Sequence, residues 1–399
     1  MLRASRRRRF VHGVVRVDPM TDVEVDGVSA VLAAVREVSG AQLAPAAAGV
    51  DRAREFPGDN LRALSEAGAL GLMVPVSQGG VGGGLVALAE VCEIVGGACA
   101  STGMVYLMHA VAAATVAGGG GPRAGELLER MGTGAVVGTL AFSERGTGAH
   151  FYDPELRAER RDGGLRVSGR KSFVTSGGHA DVMLVLVQAE GEGLDCYAVE
   201  RDAAGVRFDG AWEGLGMAGN SSIGMELDDV RLTDDARIGA PGGAGDLVFG
   251  VVAPTFLAGL AAVNLGIAQA AASAAVRHAG ARRYPDGTTL AELPTIQHAL
   301  ADMDLETRAA RTLLRQAAAL GDAGDELALV ALMEAKVSCT DTGPLVTQQA
   351  LEVCGGQGYT PSLPIERHLR DARAGAVMAP TNGVLRTWIG KALVGLPVP

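Results

Sequence analysis

The sequence predicts an α+β protein laid out as helices, then sheet, then helices. Three observations carry this. Apolar residues recur at three- and four-residue spacing up to about Thr133, short β-branched runs fill Ala135 to Ile238, and helical periodicity returns after the linker Gly239 to Gly245. Such an order suggests a small β domain held between two helical layers, the last an antiparallel bundle. The expected boundaries are a disordered tail over residues 1–21, a helical domain over 22–134, a β domain over 135–240 and a helical bundle over 241–399.

In the first block, Leu61, Leu64, Ala67 and Leu70 mark one helical face, and the glycine-rich stretch Gln78 to Gly84 interrupts the pattern. Strands are expected at Ala135 to Phe142, Leu156 to Arg160, Leu165 to Val167, Val182 to Val187, Cys196 to Val199 and Ile223 to Leu232. Asp162-Gly163 reads as a hairpin turn between two of them. Ile94 to Pro122 and Leu247 to Val276 carry no acidic or basic residue and are long enough to cross a bilayer. They are rich in Ala and Gly and contain Ser101, Thr102, His109, Pro254, Asn264 and Gln269, which suits buried helices of a soluble bundle and not a membrane span.

Of 399 residues, 48% are hydrophobic and 20% charged, enough apolar chain for a sizeable core without metals or disulfides. The formal net charge of −10 argues against nucleic acid as a partner, because neutralising phosphates needs a concentrated basic surface. The exception, Arg6 to Arg9, is followed by an apolar stretch too broken for a secretory signal; it is expected to be a tail, or to precede a start at Met20. Cys92, Cys99, Cys196, Cys339 and Cys354 form no CxxC pair and have no histidine at ligand spacing. No metal site and a reducing, cytoplasmic setting are the expectation.

Three segments have the chemistry to hold a ligand. Ala141 to Ala149 ends a strand in a loop with glycines at 146 and 148, which lets backbone N–H groups approach an anionic or planar ligand. In Gly169 to Asp181, strand alternation places Phe173 and Thr175 on one face, an aromatic surface beside a hydroxyl. Cys354-Gly355-Gly356-Gln357-Gly358-Tyr359 breaks a helical run before Arg370-Asp371, two residues able to form a charge-assisted pair. A helix start facing that break suits a phosphate. In isolation each also reads as a plain turn or as core packing.

Taken in order, these motifs resemble the acyl-CoA dehydrogenase family of flavoproteins, over roughly Asp22 to Leu396. Ser143-Glu144-Arg145-Gly146-Thr147-Gly148 is similar to the family's Thr-Glu-Pro-x-Ala-Gly flavin loop. Lys171 to Gly178, with Ala180-Asp181, is similar to its Lys-x-Trp-Ile-Thr-Asn-Gly segment. Gly214 to Met217, Asp228 to Val230, Arg283, Gln297, Ala301 to Met303, Gly355 to Tyr359 and Arg370-Asp371 continue the series. The resemblance implies a middle β-barrel or sheet domain, a C-terminal four-helix bundle, and bound FAD. Phe142, Ser143, Gly148, Phe173 and Thr175 would lie at its flavin end; Arg283, across a subunit boundary, and Glu352 at its pyrophosphate; Gly355, Gly356 and Thr381 near the cofactor. Tyr106, Ala149, Phe256 and Tyr359 would line the substrate pocket, and a homodimer or homotetramer would complete the cofactor site.

The departures are as informative. Where the family's Glu-Gly-Thr supplies the carboxylate that removes the thioester α-proton, this chain has Ala379-Pro380-Thr381. The alternative base position of a family branch falls on Phe256 and Leu257. Neither side chain accepts a proton. Ala149-His150 replaces Ser-Asp, Asp286 a Phe, Pro294 a Gln and Glu352 a Gln at the pyrophosphate arm, where a carboxylate weakens phosphate binding unless an arginine compensates. His109 and His150 are the candidate replacement bases.

The leading expectation is therefore an FAD-dependent dehydrogenase acting on a CoA or acyl-carrier-protein thioester with a displaced base, passing electrons to an acceptor flavoprotein or O2. A flavin-dependent monooxygenase or oxidase of a specialised metabolite also fits, since oxygenation needs no α-carbon base. A third expectation is a degenerate subunit that completes the site of an active homologue.

Overall fold

The computed structural model describes residues 22–161 and 163–398, so the expectation for residues 1–21 lies outside the described residues. Six α-helices open the described residues: α1 (Asp22–Val38), α2 (Ala44–Ala53), α3 (Gly58–Glu66), α4 (Leu85–Ala98), α5 (Ala100–Gly119) and α6 (Ala124–Gly132). The middle block holds β1 (Gly138–Ala141), β2 (Glu159–Arg161), β3 (Gly164–Val174), β4 (Val182–Gln188), β5 (Leu194–Glu200), β6 (Val206–Asp209), β7 (Ile223–Leu232) and β8 (Arg237–Ile238). Then come α7 (Ala244–Leu247), the long helices α8 (Ala253–Ala281), α9 (Pro294–Asp322) and α10 (Ala328–Gly358), and the shorter α11 (Ile365–Asp371), α12 (Ala374–Val377) and α13 (Asn382–Leu393).

The strands form two four-stranded sheets, β1-β4-β5-β8 and β2-β3-β7-β6, with β1 parallel to β4 and the remaining pairs antiparallel. Between them lies a core of Leu165, Val167, Met183, Val185, Tyr197, Met225 and Leu227. The expected hairpin is present, with Arg161 paired to Gly164. Strands β6 and β8 were not expected. Val206 and Phe208 alternate with Arg207 and Asp209 and pack on the sheet core, but strands of four and two residues are too short for that alternation to stand out in the sequence.

The two charge-free stretches are buried helices: seventeen consecutive residues of α5, Ala100 to Val116, are buried, and most of α8 is. One correction concerns the layering. The helical blocks do not enclose the β domain; α4 packs directly along α8, and their side chains share one continuous core with the β1-β4-β5-β8 face. Small residues make this possible: a Cβ on Gly266 would lie 2.1 Å from the Glu93 carbonyl oxygen, so the helix backbones approach as only glycine allows.

Candidate active site

The loop leaving β1 is fastened from below by a buried ion pair. Lys171 Nζ donates to Glu144 Oε1 at 2.6 Å and to the Leu186 carbonyl at 2.6 Å, with both charged side chains essentially closed to solvent. The same carboxylate accepts from the backbone N–H of Glu155 (2.7 Å) and Leu156 (3.3 Å), and Ser172 N–H donates to the Ser143 carbonyl (2.9 Å). One charge pair thus ties the loop to β3, to β4 and to its own far end. Burial pulls the Lys171 ammonium below its ordinary range, and the Glu144 carboxylate opposes that shift. Sequence reasoning passed over the pair. The signal was present: Lys171 falls at the same parity as the buried Leu165 and Val167, and a lysine on a buried strand face needs a carboxylate.

Phe173 and Thr175 do not share a face as expected. The β3–β7 register shifts between Lys171 and Val174, and Phe173 takes a left-handed φ of 55°. Its ring is 68% exposed, whereas Thr175 is buried with its Oγ1 2.9 Å from Ser222 Oγ. Strain concentrates here. Of the six non-glycine residues with left-handed φ among those described, Phe173, Ser176 and Ser221 belong to this segment and its partner, joined by Ser176 N–H to Asn220 O and Gly177 N–H to Ser221 O. Of the six buried side-chain polar atoms without a partner among the described residues, Ser172 Oγ, Ser176 Oγ and Asn220 Nδ2 also lie here. An exposed aromatic ring, unspent polar groups and the open, left-handed Gly148 (φ 56°) suit a planar ring with a hydrogen-bonding edge. FAD fits this donor set.

His109 is a structural residue. Gly138 N–H donates to its Nδ1 (3.2 Å), which leaves Nε2 as the protonated nitrogen, donating to the Leu70 carbonyl (3.0 Å). Burial pushes it down to about 4, against the Leu70 hydrogen bond, so it stays neutral and has no free lone pair for catalysis. Tyr106 is likewise removed from the pocket: it is fully buried and its hydroxyl donates to the Ala69 carbonyl at 3.3 Å. His150 is exposed, its ring 5.6 Å from that of Tyr152. Tyr152 in turn meets Phe249 (5.3 Å) before α8 and Trp388 (5.8 Å) on α13, which joins the end of the β1 loop to the C-terminal helices.

On the C-terminal side, Ala379 and Phe256 are half-buried, and Thr381 caps α13 by accepting from Val384 N–H at 3.4 Å. Arg283, Glu352, Gly355, Gly356 and Tyr359 are all exposed, around the separate core that includes Ala275, Met303 and Val353 at one end of the bundle. The Arg283 guanidinium meets only the Gly287 carbonyl, at 3.4 Å, among the described residues. Glu352 accepts from Gln348 Nε2 at 3.0 Å, Gly355 breaks the helix with φ 56°, and Tyr359 is 79% exposed.

The expected Arg370–Asp371 pair is not made, because adjacent helical residues point in different directions. Arg370 forks onto Asp51 of α2 (2.7 and 2.8 Å) and also meets Glu366, while Asp371 accepts from Met217 N–H at 2.6 Å. Together they staple α11 to the N-terminal helices and to the loop before β7.

With this geometry established, comparison with known proteins is direct. The descriptions "Acyl-CoA dehydrogenase, N-terminal domain", "middle domain" and "C-terminal domain" match residues 27–133, 139–230 and 258–394. Cyclohex-1-ene-1-carbonyl-CoA dehydrogenase of Geobacter metallireducens is 31% identical, over 90% of this chain and 96% of its own. 3-Sulfinopropanoyl-CoA desulfinase of Paraburkholderia xenovorans is 30% identical, over 88% and 92%. Butyryl-CoA dehydrogenase of Megasphaera elsdenii, 24% identical, superposes with a TM-score of 0.87 over 94% of this chain and 99% of its own. The chain belongs to the acyl-CoA dehydrogenase family of FAD-dependent flavin oxidoreductases.

Proposed function

We propose that the protein dehydrogenates an acyl thioester, carried on CoA or on a carrier protein, using a proton acceptor other than residue 379. The observation that supports this reading is the exposed Phe173 ring, held by a left-handed backbone amid unspent polar groups and fastened through Lys171 and Glu144 to the loop from Phe142 to Gly148. When bound, FAD supplies the acceptor for a hydride leaving the substrate β-carbon.

In this reading Phe173 carries the face of the planar ring, Ser143 meets its edge, and Thr175 holds Ser222 in place from beneath. Phe142 and Gly148 shape the loop. Arg283 serves the anionic arm, Thr381 stands near the cofactor, Gly355 and Gly356 allow close approach, and the Glu352 carboxylate works against the arm. Ala149, Phe256 and Tyr359 border the acyl group. Alanine at 379 and the doubly engaged His109 leave His150 as the imidazole with an exposed ring at the end of the loop, and we assign the α-proton to it. A homodimer or homotetramer, supported by the exposed Leu305, Leu345, Leu393 and Val394, would bring the arm-binding residues to a neighbouring ring site.

The test is the visible spectrum of the purified protein, followed by an anaerobic thioester screen. Stoichiometric oxidised FAD that bleaches with a thioester, with bleaching slowed in His150→Gln, is the expected result. Bound FAD that no thioester reduces overturns the proposal. The absence of a carboxylate at 379 favours a second reading, a monooxygenase or oxidase. Incorporation of an atom from O2 into product would establish it, and turnover with an artificial acceptor under nitrogen would exclude it.

A further inference from the structure

Behind Ala379 and Thr381 sits a buried amine with no part in the reaction above. Lys336, on α10, is fully buried, and its Nζ donates to the Pro380 carbonyl (3.0 Å) and to Asn382 Oδ1 (2.7 Å). Asn382 is held by three further contacts or relays: its Oδ1 also accepts from Thr340 Oγ1 (3.0 Å), its amide donates to Asp341 Oδ1 (2.9 Å), and Asp341 pairs with Arg386 of α13. Helix α10 therefore grips the chain immediately before Thr381 and immediately after it.

An amine in the interior is expensive unless its donors are used, and an apolar side chain would fill the same space without that penalty. Burial pulls Lys336 down to about 7, against the attraction of Asp341 and with the nearby Arg386 adding to the effect. Yet both of its hydrogen bonds go to one segment, residues 380–382, and none to the core around it. That economy identifies what the lysine is for.

We infer that Lys336 is a positioning residue for the cofactor site: its amine fixes the backbone at Pro380 and the side chain at Asn382, and so sets where Ala379 and Thr381 stand against the bound flavin. The inference rests on the reading that this segment faces FAD. Lys336 touches neither cofactor nor substrate and acts through the peptide it holds.

The experiment titrates full-length wild type, Lys336→Met, Lys336→Gln and Cys339→Ala with FAD, reading affinity from flavin fluorescence and environment from the shape of the visible band, with thermal melts alongside. Cys339 is buried on the same helix and contacts Ala310 instead, so its truncation reports general loosening of α10. Expected is a loss of FAD affinity of about tenfold or more in Lys336→Met, the size of one hydrogen bond to a charged group, with an altered band. Lys336→Gln, which keeps an N–H donor, recovers part of the affinity and serves alone if the methionine variant does not fold. Cys339→Ala lowers the melting temperature and leaves affinity and band unchanged. Wild-type affinity and band in both Lys336 variants, or an equal loss in Cys339→Ala, overturns the inference. A wild type that takes up no FAD overturns the reading beneath it, and this inference with it.

Discussion

Lys171 Nζ lies 2.6 Å from Glu144 Oε1 beneath the loop that leaves β1, with both side chains closed to solvent. The pair is the mechanical link between the exposed Phe173 and the loop from Phe142 to Gly148. Removing one partner leaves an uncompensated buried charge, so Lys171→Met should lower stability by about 3–5 kcal/mol. The double variant Lys171→Met, Glu144→Gln should recover part of that loss, since the amide oxygen still accepts from the backbone of Glu155 and Leu156. Urea unfolding of the three proteins checks this; a single-variant loss below about 1 kcal/mol would mean the charges are relieved by water.

Phe173 separates binding from stability. Because its ring is 68% exposed, Phe173→Ala should leave stability within about 0.5 kcal/mol of wild type. Loss of a stacking face should weaken FAD by roughly three- to tenfold. Calorimetric titration and a thermal melt of the same sample decide it, and unchanged affinity would remove Phe173 from the flavin platform.

His109 gives a pH dependence with a definite sign. It is held near 4 in the folded protein against an ordinary value of 6.5, so between those values the unfolded chain binds a proton that the folded chain refuses, and stability falls as pH falls. His368, pushed by burial down to about 3, acts in the same direction. Asp371, pushed by burial up to about 6, acts oppositely, its contribution being full below 3.8 and lost as pH rises through 6. His109→Gln keeps a donor for Leu70 and an acceptor for Gly138 without a titrating proton. Melting temperature followed from pH 7 to 4 should therefore fall less steeply than in wild type, with turnover at neutral pH unchanged; a collapse in turnover would return His109 to the mechanism.

The staple between the domains should be sensitive to a single methyl group. A Cβ on Gly216 would lie 2.5 Å from the backbone carbonyl of Arg370, and backbone cannot swing aside as a side chain can. Gly216→Ala should therefore cost about 1–3 kcal/mol. Gly125→Ala, in α6 with open space around it, should be neutral or stabilising by up to about 1 kcal/mol. Equal melts for the two variants would show that the loop before β7 gives way without disturbing the Arg370–Asp51 contact.

Local pattern was legible and long-range pairing was not. The helical face at Leu61 and Leu64, the strands at Val182 and Ile223, and the hairpin closed by Arg161 and Gly164 follow from side-chain periodicity and turn chemistry, which act over a few residues. The face does not run on to Leu70 as expected, because α3 ends at Glu66 and the left-handed Gly68 turns the chain into a separate 3-10 turn over Ala69–Gly71. The bulge at Phe173 was hidden, because alternation carries no mark of where a register will slip. The environments of His109 and Tyr106 depend on carbonyls of Leu70 and Ala69, which no spacing rule connects to α5. Strands β6 and β8, of four and two residues, are too short for their alternation to stand out.

What the sequence alone determined is the order of helix, sheet and helix, the family, and the missing carboxylate at Ala379, since each is a property of residue type and order along the chain. What only the tertiary structure decided is which charged and polar groups meet: Glu144 with Lys171, Arg370 with Asp51 and not Asp371, Lys336 with Pro380 and Asn382. These partners lie 27 to 319 residues apart in sequence. A buried charge states that it needs a partner, but only the packing of the α4–α8 core and the two sheets brings a particular one within hydrogen-bonding distance.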